Sequence, residues 1–441
     1  MKSSVITGIL AWEALDSRGN PTVGCEVRLS SGAAGAALAP AGASTGRHEA
    51  RELRDGDSRY DGRGAASAVR NVAEVLSPAI KGLPAAGQPA IDDALRAADG
   101  TPDLSRLGAN AIIAVSLAAQ IAAAADAGLP LWRYALPPGS AVELPMPMVN
   151  ILSGGAHAGR AVDIQDILVM PLGARDFRQA IEWVDRVRRE TAKELRSRGL
   201  PTALVADEGG YGPVLPTNQA GLEIVTVAID HAGLAPVQDV GIALDIAASQ
   251  FFDPSTGRYL LAAEDRSITA SEWAAELSEW ADRYPIVSIE DPMAEDDWDG
   301  WAEISGIAGA AMQIVGDDLF TTNIARLDRG ITLGVANSIL VKPNQIGTVT
   351  DARNALDAAQ AAGYGTILSA RSGETEDSWL ADLAVAWHAG QIKVGSLARS
   401  ERTAKWNRLL RLQAELDDQA SFAGRQSIPI FARCSARDVA R

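Results

Sequence analysis

Soft-ligand chemistry has little to work with in this chain: two cysteines and four histidines in 441 residues. Cys25 and Cys434 lie near opposite ends, and no Cys-x-x-Cys or Cys/His spacing of the zinc kind occurs. A zinc site and a disulfide framework are therefore set aside, and a reducing, cytoplasmic setting is expected. Basic residues are also scarce: 40 Lys and Arg face 56 Asp and Glu, a net charge of −16. No basic stripe dominates, so neither nucleic acid nor an anionic membrane is an expected partner. An acidic protein handling an anionic substrate needs local cations, from metals or from a few Lys and Arg residues. There is no Gly-x-Gly-x-x-Gly after a strand and no Walker A loop, which counts against a nucleotide-binding fold. The first twenty residues hold no apolar run of signal-peptide length, so none is expected. The most apolar stretch, 109–129, is interrupted by Asn110, Ser116, Gln120 and Asp126 and reads as a buried helix rather than a membrane span.

What is present is a globular composition, 47% hydrophobic and 22% charged, in a chain long enough for two domains, one of them barrel-sized. Residues 5–39 predict a β-meander, with turns at SRGNP and SSGAAG. The small-residue loop AGASTGRHEA follows at 41–50. Helical periodicity runs from Gly64 to about Ala127, broken near 82–89. The proline-rich segment ALPPGSAVELPMP marks the domain boundary, giving 1–136 as an N-terminal domain and 137–147 as a linker. Strand-like and helix-like segments then alternate over 148–417, with amphipathic helices expected at 175–199, 217–233, 270–283, 350–362 and 376–389. That alternation predicts a parallel barrel or an open doubly wound sheet. Residues 418–441 break the periodicity and read as a peripheral extension.

Five apolar runs in the second half end in charge: GIALD at Asp245, PIVSIE at Glu290, MQIVGDD with Asp317, NSILVK at Lys342, and YGTILSARSG with Arg371 and Ser372. Each reads as a buried parallel strand. A buried charge costs several kcal/mol, roughly, unless it is paired or binds a metal. Five in succession point to one barrel mouth, where such barrels carry their chemistry. Asp245, Glu290 and Asp317 offer hard oxygen ligands suited to Mg²⁺; any one alone reads better as a helix N-cap or a surface charge, but three in the same register favour the metal. Lys342 could act as a base beside a divalent cation, or form a salt bridge to one of the three. Arg371, Ser372 and Lys393 fit a phosphate and a carboxylate. Glu208, on the Gly-rich loop ADEGGYGP, could project into a cleft as an acid or merely form a turn. His157 lies in a second Gly-rich loop, SGGAHAG.

Ten motifs in order make the chain resemble the enolase (phosphopyruvate hydratase) family: DSRGNPTV at 16–23, GASTGRHEA at 42–50, ELRDGD at 52–57, GANAI at 108–112, DEGG at 207–210, SIEDP at 288–292, GDD at 316–318, NQIGTVT at 344–350, RSGETED at 371–377 and GQIK at 390–393. The resemblance implies an α/β fold: an enolase-type (β/α)8 barrel, irregular at its start, preceded by a smaller α+β domain. It implies two Mg²⁺ ions, the first on Asp245, Glu290 and Asp317, the second bound with substrate and Ser44. Lys342 would remove the α-proton of 2-phosphoglycerate, a base-plus-magnesium chemistry that is general to the enolase superfamily. Glu208 and Asp166 would serve departure of the β-hydroxyl, Arg371 and Ser372 would bind phosphate, Lys393 the carboxylate, and His157 and Gln165 would line the pocket. A homodimer or larger homo-oligomer in the cytoplasm is expected.

Two positions depart from that pattern. Ala370 stands where enolases have histidine, and Asp166 where they have glutamate. Both departures fall on the leaving-group side. Three readings follow: an enolase with an altered proton relay; an enolase-derived enzyme of specialised metabolism acting on a related enolpyruvate or phosphonate, such as a carboxyphosphonoenolpyruvate synthase; or a non-catalytic binding protein on the same fold.

Overall fold

A computed structural model describes residues 4–43 and 45–432. Near the N-terminus β1 (Ile6–Leu15), β2 (Pro21–Leu29) and β3 (Ala34–Leu38) form the expected antiparallel meander in that order. Its inner face lies on the helix Ala109–Asp126, fifteen of whose eighteen residues are buried. The approach is close: a Cβ on Gly35 would sit 2.2 Å from the Ala122 backbone nitrogen, so only glycine lets sheet and helix meet here. The long apolar helix is thus the core of the N-terminal domain. Cys25 is a buried free thiol within that core; Cys434 lies outside the described residues.

The second domain is a closed eight-stranded barrel. Its strands are β5 (Met146–Ser153), β6 (Asp166–Met170), β7 (Gly241–Asp245), β11 (Ile286–Glu290), β12 (Gln313–Gly316), β13 (Ser338–Val341), β14 (Gly365–Ser369) and β15 (Gln391–Gly395), in that spatial order. Between β7 and β11 the short strands β8 (Phe252–Asp253), β9 (Arg258–Leu261) and β10 (Arg266–Ile268) make a separate antiparallel sheet. Of the two sheet types left open by the sequence, the barrel is the one formed. It is not uniformly parallel, because β6 runs antiparallel to both β5 and β7. The start of β6 therefore lies at the same mouth as the ends of the other seven.

Four of the five expected helices form within a few residues of expectation and are amphipathic or nearly so: Phe177–Ser197, Asn218–His231, Ala270–Arg283 and Val349–Ala361. The fifth, Trp379–Ala386, is buried on every side and is not amphipathic. Between barrel and N-terminal domain it has no solvent face.

Two boundaries need correction. The segment 137–147 is not all linker: β4 (Val142–Leu144) lies in it, and Met146 already begins the barrel. Nor is the stretch after 417 simply peripheral. There β16 (Ala420–Phe422) pairs parallel with β4, and Ile428 and Ile430 join Met146, Met170, Val287 and Ile367 in the barrel interior. The closed barrel has an apolar floor opposite its mouth, and SIPIF is a short apolar run that covers it.

Candidate active site

At the mouth, neighbouring strands deliver carboxylates side by side. Asp245 closes β7 and Glu290 closes β11, paired in register; Asp317 follows β12 directly. Their exposures are 2%, 1% and 7%. Across the mouth Lys393, on β15, reaches Asp245 Oδ2 at 2.7 Å and Glu290 Oε1 and Oε2 at 2.8 and 2.7 Å. Lys342, immediately after β13, is ion-paired with Asp317, whose other oxygen accepts from Gln345 Nε2 at 2.9 Å. Gln165 donates to Asp245 at 3.0 Å. Burial raises the Glu290 carboxyl well above the carboxylate range, with Asp245 adding to the effect and Lys393 opposing it. Burial, the largest influence, would lower the Lys342 ammonium, but the surrounding carboxylates, Asp317 foremost and Glu290 with it, together leave the pKa raised. In this state Lys342 is a salt-bridged ammonium, the alternative open in its sequence, and not a free amine.

This donor set fits a hard dication. Three buried carboxylates come from adjacent strands and share two ammonium groups, Lys342 and Lys393, and oxygen-only sites of this kind suit Mg²⁺. Carboxylate oxygens of Asp291, Asp317 and Asp318 also lie within 4.8 Å of one another, as do ligand atoms of His157, Asp166 and Glu208. Asp291, at φ 42° and buried, accepts the backbone N–H groups of Asp317 and Asp318 at 2.9 and 2.7 Å. It therefore shapes the GDD turn and holds Asp317 toward the mouth. A non-glycine residue at positive φ costs energy and persists only where the surroundings enforce it.

Next to Asp245, whose register partner on the neighbouring strand is Asp166, stands the trio His157, Asp166 and Glu208. His157 Nδ1 lies 2.8 Å from Asp166 Oδ2, and its Nε2 lies 3.9 Å from Glu208 Oε1. Asp166 Oδ1 also accepts from Asn150 Nδ2 and, at 2.9 Å, from Ser153 Oγ. Burial alone would lower the imidazole, but Asp166 and Glu208 outweigh it and hold its pKa raised to about 9. Burial likewise works against the Glu208 anion, yet His157, Arg402, Lys393 and Lys342 keep its carboxyl below the usual range. Glu208 can approach because its loop is glycine-rich: Cβ atoms at Gly209 and Gly210 would lie 2.5 Å from Ala398 O and 2.3 Å from Asn150 Oδ1.

Arg371 follows β14 and is paired with Glu49 at 2.9 Å; its Nη1 also donates to Asn344 at 3.2 Å. Ser372 Oγ accepts from the Ala43 backbone at 2.5 Å. One cavity is lined by His157, Gln165, Glu208, Asp245, Lys342, Ala370, Arg371, Ser372 and Lys393. The structure thus gathers nearly every residue singled out in the sequence. Glu290, Asp317 and Asp166 stand behind that lining through their contacts, and Ser44 lies outside the described residues. Sequence reading passed over Glu49, Asn150, Ser153, Asp291 and Gln345. Asn150 had a visible signal, a lone amide within the apolar run MPMVNIL; Glu49 sits in a quoted motif from which only Ser44 was taken.

Residues 6–135 match the family described as Enolase, N-terminal domain, and residues 141–430 match Enolase, C-terminal TIM barrel domain. The chain belongs to the enolase family. Against that family's pattern the two departures now have places. Ala370 is buried in the cavity lining and brings no titratable group there. Asp166 sits behind the lining, with its oxygens taken up by Asn150, Ser153 and His157.

Proposed function

We propose that this enolase-family chain is a Mg²⁺-dependent lyase that interconverts 2-phosphoglycerate and phosphoenolpyruvate. The observation that carries the reading is the single cavity with Lys342, Lys393, Arg371 and Ser372 against Glu208 and His157. Lys342 is the base for the α-proton, Lys393 meets the substrate carboxylate, Arg371 and Ser372 take the phosphate, and Glu208 faces the β-hydroxyl. Asp245, Glu290 and Asp317 would hold Mg²⁺. Bound there, the ion would supply positive charge to offset the charge of the substrate carboxylate and of Asp317. Arg371 is held in a fixed orientation by Glu49, so its guanidinium is preorganised for an anion. The test is incubation with 2-phosphoglycerate and Mg²⁺ in D₂O, following α-proton exchange and phosphoenolpyruvate formation separately. Exchange and product are both expected; absence of both rejects the reading.

A second reading draws on Ala370. A methyl group where the family has imidazole leaves room beside the anion-binding residues Arg371 and Ser372. That room suits a related enolpyruvate or phosphonate substrate, such as that of a carboxyphosphonoenolpyruvate synthase. Mg²⁺ binding without exchange or elimination on 2-phosphoglycerate is the outcome that would favour it.

A further inference from the structure

The proposed elimination needs a proton on the departing oxygen, and the structure leaves Glu208 without one of its own. Glu208 lies between two cationic groups, His157 Nε2 at 3.9 Å and Arg402 Nη1 at 4.0 Å. It is an anion in this arrangement. Arg402 cannot surrender a proton near neutral pH. Lys393 and Lys342 are engaged by Asp245, Glu290 and Asp317. Ala370, in the same cavity lining, has nothing to give. His157 remains, and its geometry is specific. Asp166 takes Nδ1, which turns Nε2 toward Glu208. Asp166 itself is fully occupied behind the cavity lining. The backbone supports the same pairing, since Asp207 N–H donates to the His157 carbonyl at 3.3 Å and ties the two Gly-rich loops together.

Resting on the proposed elimination, we infer that His157, oriented by Asp166, is the proton store that recharges Glu208 during loss of the β-hydroxyl. Lys342, an ammonium ion-paired with Asp317 in this structure, first gives a proton to solvent and then, as the neutral amine, takes the C2 proton. The electron pair left at C2 becomes the C2=C3 double bond as the C3–O bond breaks with its own pair on oxygen. Glu208, protonated from His157 Nε2, gives that proton to the oxygen, which leaves as water. The neutral imidazole regains a proton from solvent, and Lys342 ends as the ammonium it began as, so charge and protons balance. Asp166 is then a positioning residue rather than a catalytic one, which revises the role its sequence position implied. The imidazole faces Asp166 from β6, Glu208 from the loop before Asn218, and the charge of Asp245 from β7. That anionic surround keeps it protonated through neutral pH.

The test combines a direct readout with a kinetic one. In protein carrying labelled imidazoles, the His157 resonance, assigned by its loss in His157→Gln, should titrate near 9 and move toward the ordinary histidine range in Asp166→Asn. With 2-phosphoglycerate and Mg²⁺ in D₂O, His157→Gln should raise the ratio of α-proton exchange to phosphoenolpyruvate formation by about 100-fold, the scale of one acid–base participant. In Asp166→Asn the basic limb of the elimination profile should move to lower pH while that of exchange stays, and Asp166→Glu should restore it. An unchanged ratio in His157→Gln, with exchange proceeding, overturns this inference alone. Neither process in the unmodified enzyme rejects the functional reading, and the inference falls with it.

Discussion

Lys393→Met offers the sharpest test of how the mouth is held together. The ammonium makes three contacts of 2.7 to 2.8 Å with Asp245 and Glu290, and all three side chains are buried. Methionine keeps most of the unbranched side chain, one atom shorter, and removes the charge, leaving two buried carboxylates without their ammonium partner. Breaking a buried pair by removing one partner costs about 3–5 kcal/mol. Unfolding entropy of about 2.1 cal/mol/K per residue, over 441 residues, turns this into a fall in Tm of about 3–5 °C in EDTA. Mg²⁺ should recover more of the melting temperature in the variant than in the parent, because a dication replaces the missing charge. The pH dependence has a definite sign. Glu290 already has a raised pKa, and losing Lys393 raises it further. A carboxyl whose folded pKa exceeds its unfolded value of about 4.3 loses stability as pH climbs from there through the folded pKa. The deficit should therefore grow as pH rises above the unfolded carboxyl range, whereas the Lys393 ammonium itself, with its pKa raised, stays charged. Melts of parent and variant that coincide in EDTA, with equal Mg²⁺ increments, would refute the reasoning.

Asp245→Asn removes one of three charged ligands and should weaken Mg²⁺ binding about tenfold or more by calorimetry; unchanged affinity removes Asp245 from the site. Lys342→Ala should abolish exchange of the substrate α-proton with solvent while Mg²⁺ still binds, and exchange at the parent rate would exclude Lys342 as base. Ala370→His with Asp166→Glu, measured as a pair because groups sharing a relay rarely act additively, should raise elimination more than exchange. The raised pKa of His157, about 9, stabilises the fold fully below the unfolded value of about 6.5 and is lost as pH rises through 9. Urea unfolding of the parent should therefore weaken from pH 6.5 to 9.5 more than that of His157→Gln, and equal slopes would deny the ion pair.

The sequence by itself determined the elements and the charge-bearing ends. An apolar run such as GIALD or PIVSIE has few uses for a terminal carboxylate, so Asp245 and Glu290 stood out without coordinates. Amphipathic helices such as Phe177–Ser197 were readable because their own periodicity encodes the buried face. Only the tertiary structure decided who meets whom. Lys393 and Asp245 are 148 positions apart, and no local pattern records a pairing across a closed barrel. The reversal of β6 was equally invisible: strand–helix alternation predicts parallel neighbours, yet the antiparallel turn is what carries Asp166 to the mouth. There Asn150, Ser153 and His157 take up both its oxygens. SIPIF looked like a tail because periodicity fails there. Its apolar residues find their use only when a barrel floor exists to receive them, since burial is a property of the assembled fold and not of the segment.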